Sequence, residues 1–230
     1  MKLSIIIPVY NEMEFLPKII EAVKKVNLPD IVKEIVIVDD ASKDGTGEWI
    51  EKYVSQNPDT KFKKHNVNKG KGSAIKTAID MATGDVIVIQ DADLEYNPED
   101  YKILLAPILE GKTNVVYGSR NLRKNKSYSW VYYFGNEVLT EITNILYDTQ
   151  LTDMETCYKM FTREVVKDMC LCAKRFDFEP EFTAKVIKKG YEIYEIPISY
   201  NARSREDGKK LTWKDGIKAL WTLMKYRIVD

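Results

Sequence analysis

VIVIQDADLEYNPED, residues 86–100, runs an apolar, β-branched stretch straight into two aspartates, Asp91 and Asp93, spaced two apart. Carboxylates at i and i+2 of an extended strand end project to the same side. Two such oxygen donors can hold a hard divalent cation, which takes its remaining ligands from water and from substrate phosphates. Taken alone, the same pair reads as a solvated loop capping the helix that Pro98 starts. The rest of the chain decides between the two.

Upstream, β-branched runs alternate with helix-length amphipathic segments, the pattern of a mostly parallel α/β sheet flanked by helices. Strands are expected at Leu3 to Val9, Glu34 to Val38, Asp85 to Gln90 and Asn114 to Tyr117, with a weaker one at Lys61 to Val67. Glu14 to Val26, Thr46 to Ser55 and Ser73 to Ala82 carry apolar residues at helical spacing, and Gly70, Gly72 and Gly84 mark boundaries. Open α/β sheets bind ligands beyond the carboxyl ends of their strands. Tyr10-Asn11-Glu12, Asp39-Asp40, Asp91-Asp93 and Gly118-Ser119-Arg120 all fall at such ends, which favours the metal reading.

The chain of 230 residues suits one α/β domain with a substantial core. Lys+Arg and Asp+Glu balance at 35 each, so no overall field argues for nucleic acid. The basic runs Arg120 to Lys126 and Arg203 to Lys210 read singly as solvated loops. One histidine, His65, and three cysteines without CxxC spacing exclude a zinc site or a histidine-based triad, and the odd cysteine count suits a reducing cytosol. Leu3 to Val9 is too short for a signal core, and no window approaches a membrane span. The expected location is cytoplasmic, at most peripheral at the cytoplasmic membrane face.

The second half differs. Tyr128 to Phe134 is aromatic-rich, and Val138 to Tyr147 and Glu179 to Lys189 read as helices. Tyr191 to Tyr200 reads as an edge strand because it contains Pro197. Trp213 to Tyr226 is an amphipathic C-terminal helix with Trp213, Ile217, Leu220, Trp221 and Met224 against lysines, suited either to the protein's own core or to a membrane surface.

IIIPVYNE (5–12), VDDASKDGT (38–46), NKGKGSA (68–74), QDADLEYNPED (90–100) and GSR (118–120) occur in the order found in family 2 glycosyltransferases, which the chain resembles. ISYNARSREDGKKL near the end is similar to the loop of dolichol-phosphate mannose and polyprenyl-phosphate sugar synthases within that family. The resemblance covers the whole chain and implies a GT-A fold, a single domain over 1–230. Residues 1–120 would form the nucleotide-sugar-binding half and 121–230 the acceptor half. It also implies a nucleotide-diphosphate sugar donor of GDP-mannose or UDP-glucose type, Mg2+ or Mn2+, and inversion at the anomeric carbon.

Carried over position by position, Pro8, Tyr10 and Glu12 would line the nucleoside pocket, with Val38 and Asp40 beside base and ribose. Asp91, Ala92 and Asp93 match the metal-binding DxD, and Glu95 stands where glutamine is usual, adding an anionic ligand. Arg120, Arg203 and Lys210 match basic residues that would stabilise the charge on a departing diphosphate. Arg205 and Lys209 lie beside them. LTDMETCYKMF, residues 151–161, occupies the acceptor element. There Asp153 or Glu155 would be the base for a hydroxyl acceptor, or would position a lipid phosphate, which is already an anion. Cys157 reads as a small buried residue, with nothing nearby to lower its pKa.

A polyprenyl or dolichyl phosphate is the expected acceptor, reached through the aromatic segment and the last helix or through a separate membrane subunit. A hydroxyl of a glycan, glycolipid or surface polysaccharide is the alternative. A nucleotidyltransferase is disfavoured because PVYNE stands where a glycine-rich triphosphate loop would follow the first strand. A non-catalytic nucleotide-sugar-binding protein would bind donor without turnover.

Overall fold

A computed structural model describes residues 1–123, 130–202 and 213–229. Seven strands form one sheet: β1 (Lys2–Val9), β2 (Val32–Asp39), β3 (Lys61–Lys64), β4 (Val86–Ile89), β5 (Val115–Ser119), β6 (Lys159–Thr162) and β7 (Ile193–Pro197). Their order is β3-β2-β1-β4-β6-β5-β7. Five are parallel in the expected way, while β6 runs antiparallel between β4 and β5, and β7 pairs parallel to β5 at the edge. The expected mostly parallel sheet flanked by helices is therefore present, with one reversed strand.

Alternation along β1 explains the layers. Leu3, Ile5, Ile7 and Val9 point to one face, packed with α1 (Leu16–Lys25) and with Leu104 and Leu105 of α4 (Tyr101–Leu109). Ile6 points to the other, against Ala74, Ile75 and Ala78 of α3 (Lys71–Met81) and Phe178 and Phe182 of α7 (Phe178–Lys188). α2 (Thr46–Gln56) adds Ile50 to the first face. Most of β1 is fully buried, as expected for a central parallel strand.

Four expectations need correction. The strand foreseen at Lys61 to Val67 stops at Lys64, because His65 turns in to meet Asp40. β6 lies within the stretch read as an acceptor element. Its charged Lys159 hid the strand, yet that side chain is fully buried, donating to the carbonyls of Met154 (2.8 Å) and Thr156 (2.7 Å) with the Tyr117 ring 3.8 Å away. The helix expected from Val138 begins earlier, as α5 (Trp130–Tyr147), and so takes in part of the aromatic segment.

The fourth concerns α8 (Trp213–Ile228). Its buried side is Ala219, Thr222, Leu223 and Tyr226, set against α5 and α7, with the Tyr147 hydroxyl donating to the Leu223 carbonyl. Ile217, Trp221 and Met224, the stripe read as its main apolar face, are exposed. The core takes the side on which Leu223 and Tyr226 meet Tyr147, Leu151 and Ala184. α6 (Arg163–Val166) is a single turn after β6.

One buried ion cluster ties three strands and a loop. Glu34 of β2 is 3% exposed; it accepts from Ser4 Oγ (2.5 Å), Thr83 N (2.8 Å) and Thr83 Oγ1 (2.6 Å), and pairs with Lys2 (2.7 Å) and Lys61 (3.0 Å). Burial alone would raise its pKa, but the bonds from Lys2, Ser4 and Thr83 outweigh it and hold the carboxyl far below the usual range. A depressed folded pKa gives stability that is present above about pH 4.5 and is lost as pH falls. Glu34→Ala should therefore lower the unfolding free energy by about 3 kcal/mol at pH 7. In urea titrations from pH 7 to pH 3, the variant should lose less further stability on acidification than the parent; an equal acid loss would contradict the assignment.

Candidate active site

The carboxyl ends of β1 and β2 carry two loops joined side chain to backbone. Asn11 N donates to Ser42 Oγ (2.8 Å), Lys43 N to Asn11 Oδ1 (2.8 Å) and Glu12 N to Thr46 Oγ1 (3.2 Å). Asn11 holds φ at 53°, a left-handed conformation that asparagine tolerates, and this turns the chain into α1. Tyr10 and Glu12 are half-buried on this surface, whereas Pro8 and Val38, register partners across β1 and β2, are buried. The Val38 side chain belongs to the α3 core, so only its backbone faces the strand end.

Asp40 does not point outward. Its carboxylate accepts from Lys69 N (2.9 Å) and Gly70 N (2.6 Å) and lies 2.7 Å from His65 Nδ1, anchoring the NKGKGSA loop. Its neighbour Asp39 bonds Ser42 N through Oδ1 and, among the described residues, has no hydrogen-bond partner for the buried Oδ2. Of this pair, Asp39 is the one with unused acceptor capacity.

The glycines of that loop serve close packing. A Cβ at Gly70, where φ is +94°, would come within 2.3 Å of the Lys174 carbonyl oxygen, and one at Gly72 within 2.8 Å of that of Ala173. Gly72 N and Ser73 N instead donate to the carbonyls of Arg175 and Lys174. Lys71 is thereby fixed between them.

β4 ends at Ile89, so Asp91 and Asp93 lie in a turn and not on an extended strand end, with Leu94 at φ 61°. Asp91 faces Lys71, whose Nζ lies 2.9 Å and 3.0 Å from its two carboxylate oxygens, 2.9 Å from Cys157 Sγ and 3.3 Å from Glu179 Oε1. Burial pulls the Lys71 pKa down, but Asp91, Cys157 and Glu179 outweigh it and keep the ammonium charged. Lys71 is thus a cation beside Cys157 that the sequence reading did not foresee; burial still pushes the thiol up, so Cys157 stays protonated. Asp93 Oδ1 accepts from Glu95 N (3.1 Å). Ala92 is buried.

No group of three or more His, Cys, Asp or Glu among the described residues is arranged to hold a metal unaided. Two hard carboxylates on one turn, beside a buried Glu179 whose Oε2 has no hydrogen-bond partner among those residues, fit a cation that draws its other ligands from water and phosphate.

The reversed strand brings the chain's second half to the same edge. Because β6 is antiparallel, the segment preceding it, 151–158, lands beside the carboxyl ends of β4 and β5. Asp153, fully buried, accepts from Arg120 N (2.8 Å), Nε (2.7 Å) and NH2 (2.7 Å) and from Asn136 Nδ2 (2.9 Å). Burial alone would raise the Asp153 pKa; Arg120 outweighs it and holds the carboxyl below its ordinary value. Glu195 of β7 fixes the backbone from below, accepting from Thr152 N (2.7 Å) and Asp153 N (3.0 Å).

Glu155 behaves oppositely. Burial, reinforced by Glu179, pushes its carboxyl up to about 8, and its buried Oε1 has no hydrogen-bond partner among the described residues.

Tyr200 links the two halves. Its hydroxyl donates to Glu95 Oε2 (2.7 Å), its ring lies 5.3 Å from the Arg120 guanidinium, and Asn201 N donates to the Glu95 carbonyl (2.9 Å). Arg203 and Lys210 lie outside the described residues, as do Arg205 and Lys209. The structure thus gathers Tyr10, Glu12, Asp91, Asp93, Glu95, Arg120, Asp153 and Glu155 along one sheet edge. Lys71, Glu179, Asn136 and Glu195 are added by contacts between distant segments that no local pattern announces.

The model of the family described as "Glycosyl transferase family 2" matches residues 4–170. The chain is 30% identical over 238 residues to a dolichol-phosphate mannosyltransferase of Pyrococcus furiosus, covering 98% of this chain and 64% of that protein. It is 29% identical to a dolichyl-phosphate beta-glucosyltransferase of Trichomonas vaginalis, covering 98% and 73%. Against an undecaprenyl-phosphate 4-deoxy-4-formamido-L-arabinose transferase of Proteus mirabilis the identity is 28%, covering 90% and 62%. The chain therefore spans somewhat under two thirds of two of these three relatives. The fold matches glucosyl-3-phosphoglycerate synthase of Mycobacterium tuberculosis, crystallised with Mn2+, UDP and glucosyl-3-phosphoglycerate, with a TM-score of 0.72 at 16% identity over 100% of this chain and 81% of that one.

Two outcomes follow from this geometry. In a double-mutant cycle of Arg120→Ala and Asp153→Ala, each single change should cost about 3 kcal/mol by leaving a buried charge unpaired, and the pair should cost markedly less than the sum. Additive losses in denaturant unfolding would mean no coupling. For Glu155 the folded pKa is raised, so its stabilising effect is complete below about pH 4.5 and declines up to about pH 8. Glu155→Gln should flatten the fall in stability with rising pH across that window; an unchanged slope would show that another group is responsible.

Proposed function

We propose that this chain, which belongs to glycosyl transferase family 2, transfers a hexose, mannose or glucose, from a GDP- or UDP-linked donor to a polyprenyl or dolichyl phosphate, with inversion. The observation that carries this reading is the junction at the sheet edge, where the turn with Asp91, Asp93 and Glu95 is joined through Tyr200 to the Arg120–Asp153 pair. Carboxylates suited to a cation and a guanidinium suited to an anion are thereby held on one junction, the two kinds of group a metal-bound diphosphate ester needs. The relatives named as dolichyl- and undecaprenyl-phosphate transferases support the acceptor class.

Mg2+ or Mn2+ held by Asp91 and Asp93, with Glu95 adjoining, would neutralise diphosphate charge and so make the nucleoside diphosphate a better leaving group. The protein's own groups do the rest. The loops at Tyr10–Glu12 and Asp39–Asp40 form the nucleoside end, with Pro8 and Val38 supplying buried backbone and Asp39 Oδ2 available to a base N–H. Arg120, locked by Asp153, presents a charge that needs no reorganisation as the anomeric C–O bond to the diphosphate breaks and the acceptor oxygen forms its bond from the opposite face. Arg203 and Lys210, by the family resemblance, would add positive charge for the phosphates.

Acceptor charge distinguishes the two versions of the reaction. A phosphate needs no base, and Asp153, engaged with Arg120, is a positioning residue poorly suited to take a proton. Glu155, neutral at pH 7, sets no negative charge against an incoming phosphate. A hydroxyl acceptor would need a base, and Glu155 is then the better candidate of the two.

The exposed stripe Ile217, Trp221, Met224 and Ile228 on α8, with Lys218, Lys225 and Arg227 alongside, suits a peripheral position on the cytoplasmic membrane face where a lipid phosphate resides. No helix among the described residues is long and apolar enough to cross a membrane.

The test incubates the protein with Mn2+, a short-chain polyprenyl phosphate and GDP-mannose or UDP-glucose, scoring lipid-linked sugar. One donor should give product, and Asp93→Ala should reduce it at least about a hundredfold. Glu155→Gln should retain most activity on the phosphate acceptor. Loss of activity in that variant, together with a rate that rises through pH 8 on a hydroxyl acceptor, would favour the hydroxyl version. Trp221→Asp should lower binding to anionic vesicles without lowering turnover of a soluble short-chain acceptor; unchanged vesicle binding would remove α8 from the membrane reading.

A further inference from the structure

Lys71 stands where the proposed chemistry has a conflict. Its ammonium lies 2.9 Å and 3.0 Å from the two oxygens of Asp91, the first aspartate of the DxD turn, and both side chains are slightly exposed, at 15% and 14%. A divalent cation on Asp91 and an ammonium at that distance would repel each other strongly in a partly buried site. The two therefore compete for Asp91. The backbone cannot yield, because Gly70 and Gly72 are pressed against the carbonyls of residues 173–175. On this side the flexible lysine stem is the part that can move.

The charges favour an exchange. Lys71 is one cation serving Asp91 and Glu179 together, and Glu179, 4% exposed, still has an Oε2 without a hydrogen-bond partner among the described residues. A diphosphate arriving at the turn offers anionic oxygens beside the present position of Nζ, replacing for the ammonium what it gives up at Asp91.

We infer that Lys71 is a partner-switching cation: without donor it holds Asp91 and keeps free metal out, and with donor it moves onto the diphosphate and releases Asp91 to the metal. This rests on the reading of the site as a metal and nucleotide-sugar site. Donor and metal would then bind together, each favouring the other.

Mn2+ binding to the full chain, followed by electron paramagnetic resonance without nucleotide and again with UDP or GDP, tests it on Lys71→Met and on Lys71→Gln, which keeps a hydrogen-bond donor but not the charge. Melting curves confirm that each variant folds. Without nucleotide, both variants should bind Mn2+ about tenfold more tightly than the parent, the size of one relieved charged contact. With Mn2+ present, they should bind the nucleotide about tenfold more weakly. Unchanged or weaker Mn2+ binding in folded variants, alongside normal binding of Mn2+ and nucleotide by the parent, overturns the switch and leaves the site reading intact. Loss of the fold in both variants makes Lys71 a structural cation and also overturns it. A parent that binds neither UDP nor GDP in Mn2+ overturns the site reading, and the switch with it.

Discussion

A carboxylate removed from water is costly unless cations or hydrogen-bond donors replace its hydration, and this sheet edge collects several. Asp40 is satisfied by two backbone amides and His65, Asp153 by Arg120 and Asn136, and Asp91 and Glu179 by Lys71. Each of these pairings joins segments far apart in sequence. The requirement to neutralise buried acids is thus what pins the loops in place and gives the site its shape before any ligand arrives. Glu155 lacks a dedicated cation and responds as physics requires, by holding its proton.

That arrangement divides the acids by role. Asp153 and Asp40 are anchors, since their oxygens are fully engaged within the protein. Asp91 is engaged by a lysine on a flexible stem, and Asp39 and Glu179 each keep an oxygen without a hydrogen-bond partner among the described residues. Identical functional groups within one site are therefore separated by what surrounds them, and residue type alone would not distinguish them.

The sequence made the first half of the fold legible because parallel strands covered by helices leave continuous apolar runs, as in Leu3 to Val9 and Val86 to Ile89; in the second half, Pro197 marked the edge strand β7. It hid β6, where a lysine in mid-strand finds carbonyls and a ring that only the folded chain provides. It found α8 but left its packing open, because both sides of that helix carry apolar residues and hydrophobicity does not say which one meets α5 and α7. Spacing and strand ends drew attention to Asp91, Asp93 and Gly118-Ser119-Arg120, and the family resemblance alone to the Asp153 segment. The assignment of Asp40 to the ligand failed to anticipate its amide partners, and Lys71 was passed over because its role depends on Asp91, Cys157 and Glu179, none of them near it in sequence.

The reversed strand has a bearing on how such a protein diversifies. Because β6 returns the segment 151–158 to the edge already built by β1, β2 and β4, the site is a seam between two stretches that are separate in the gene. Point changes or short insertions in the later stretch can remodel what the site accepts while the earlier stretch, with its buried strands and joined loops, stays as it is.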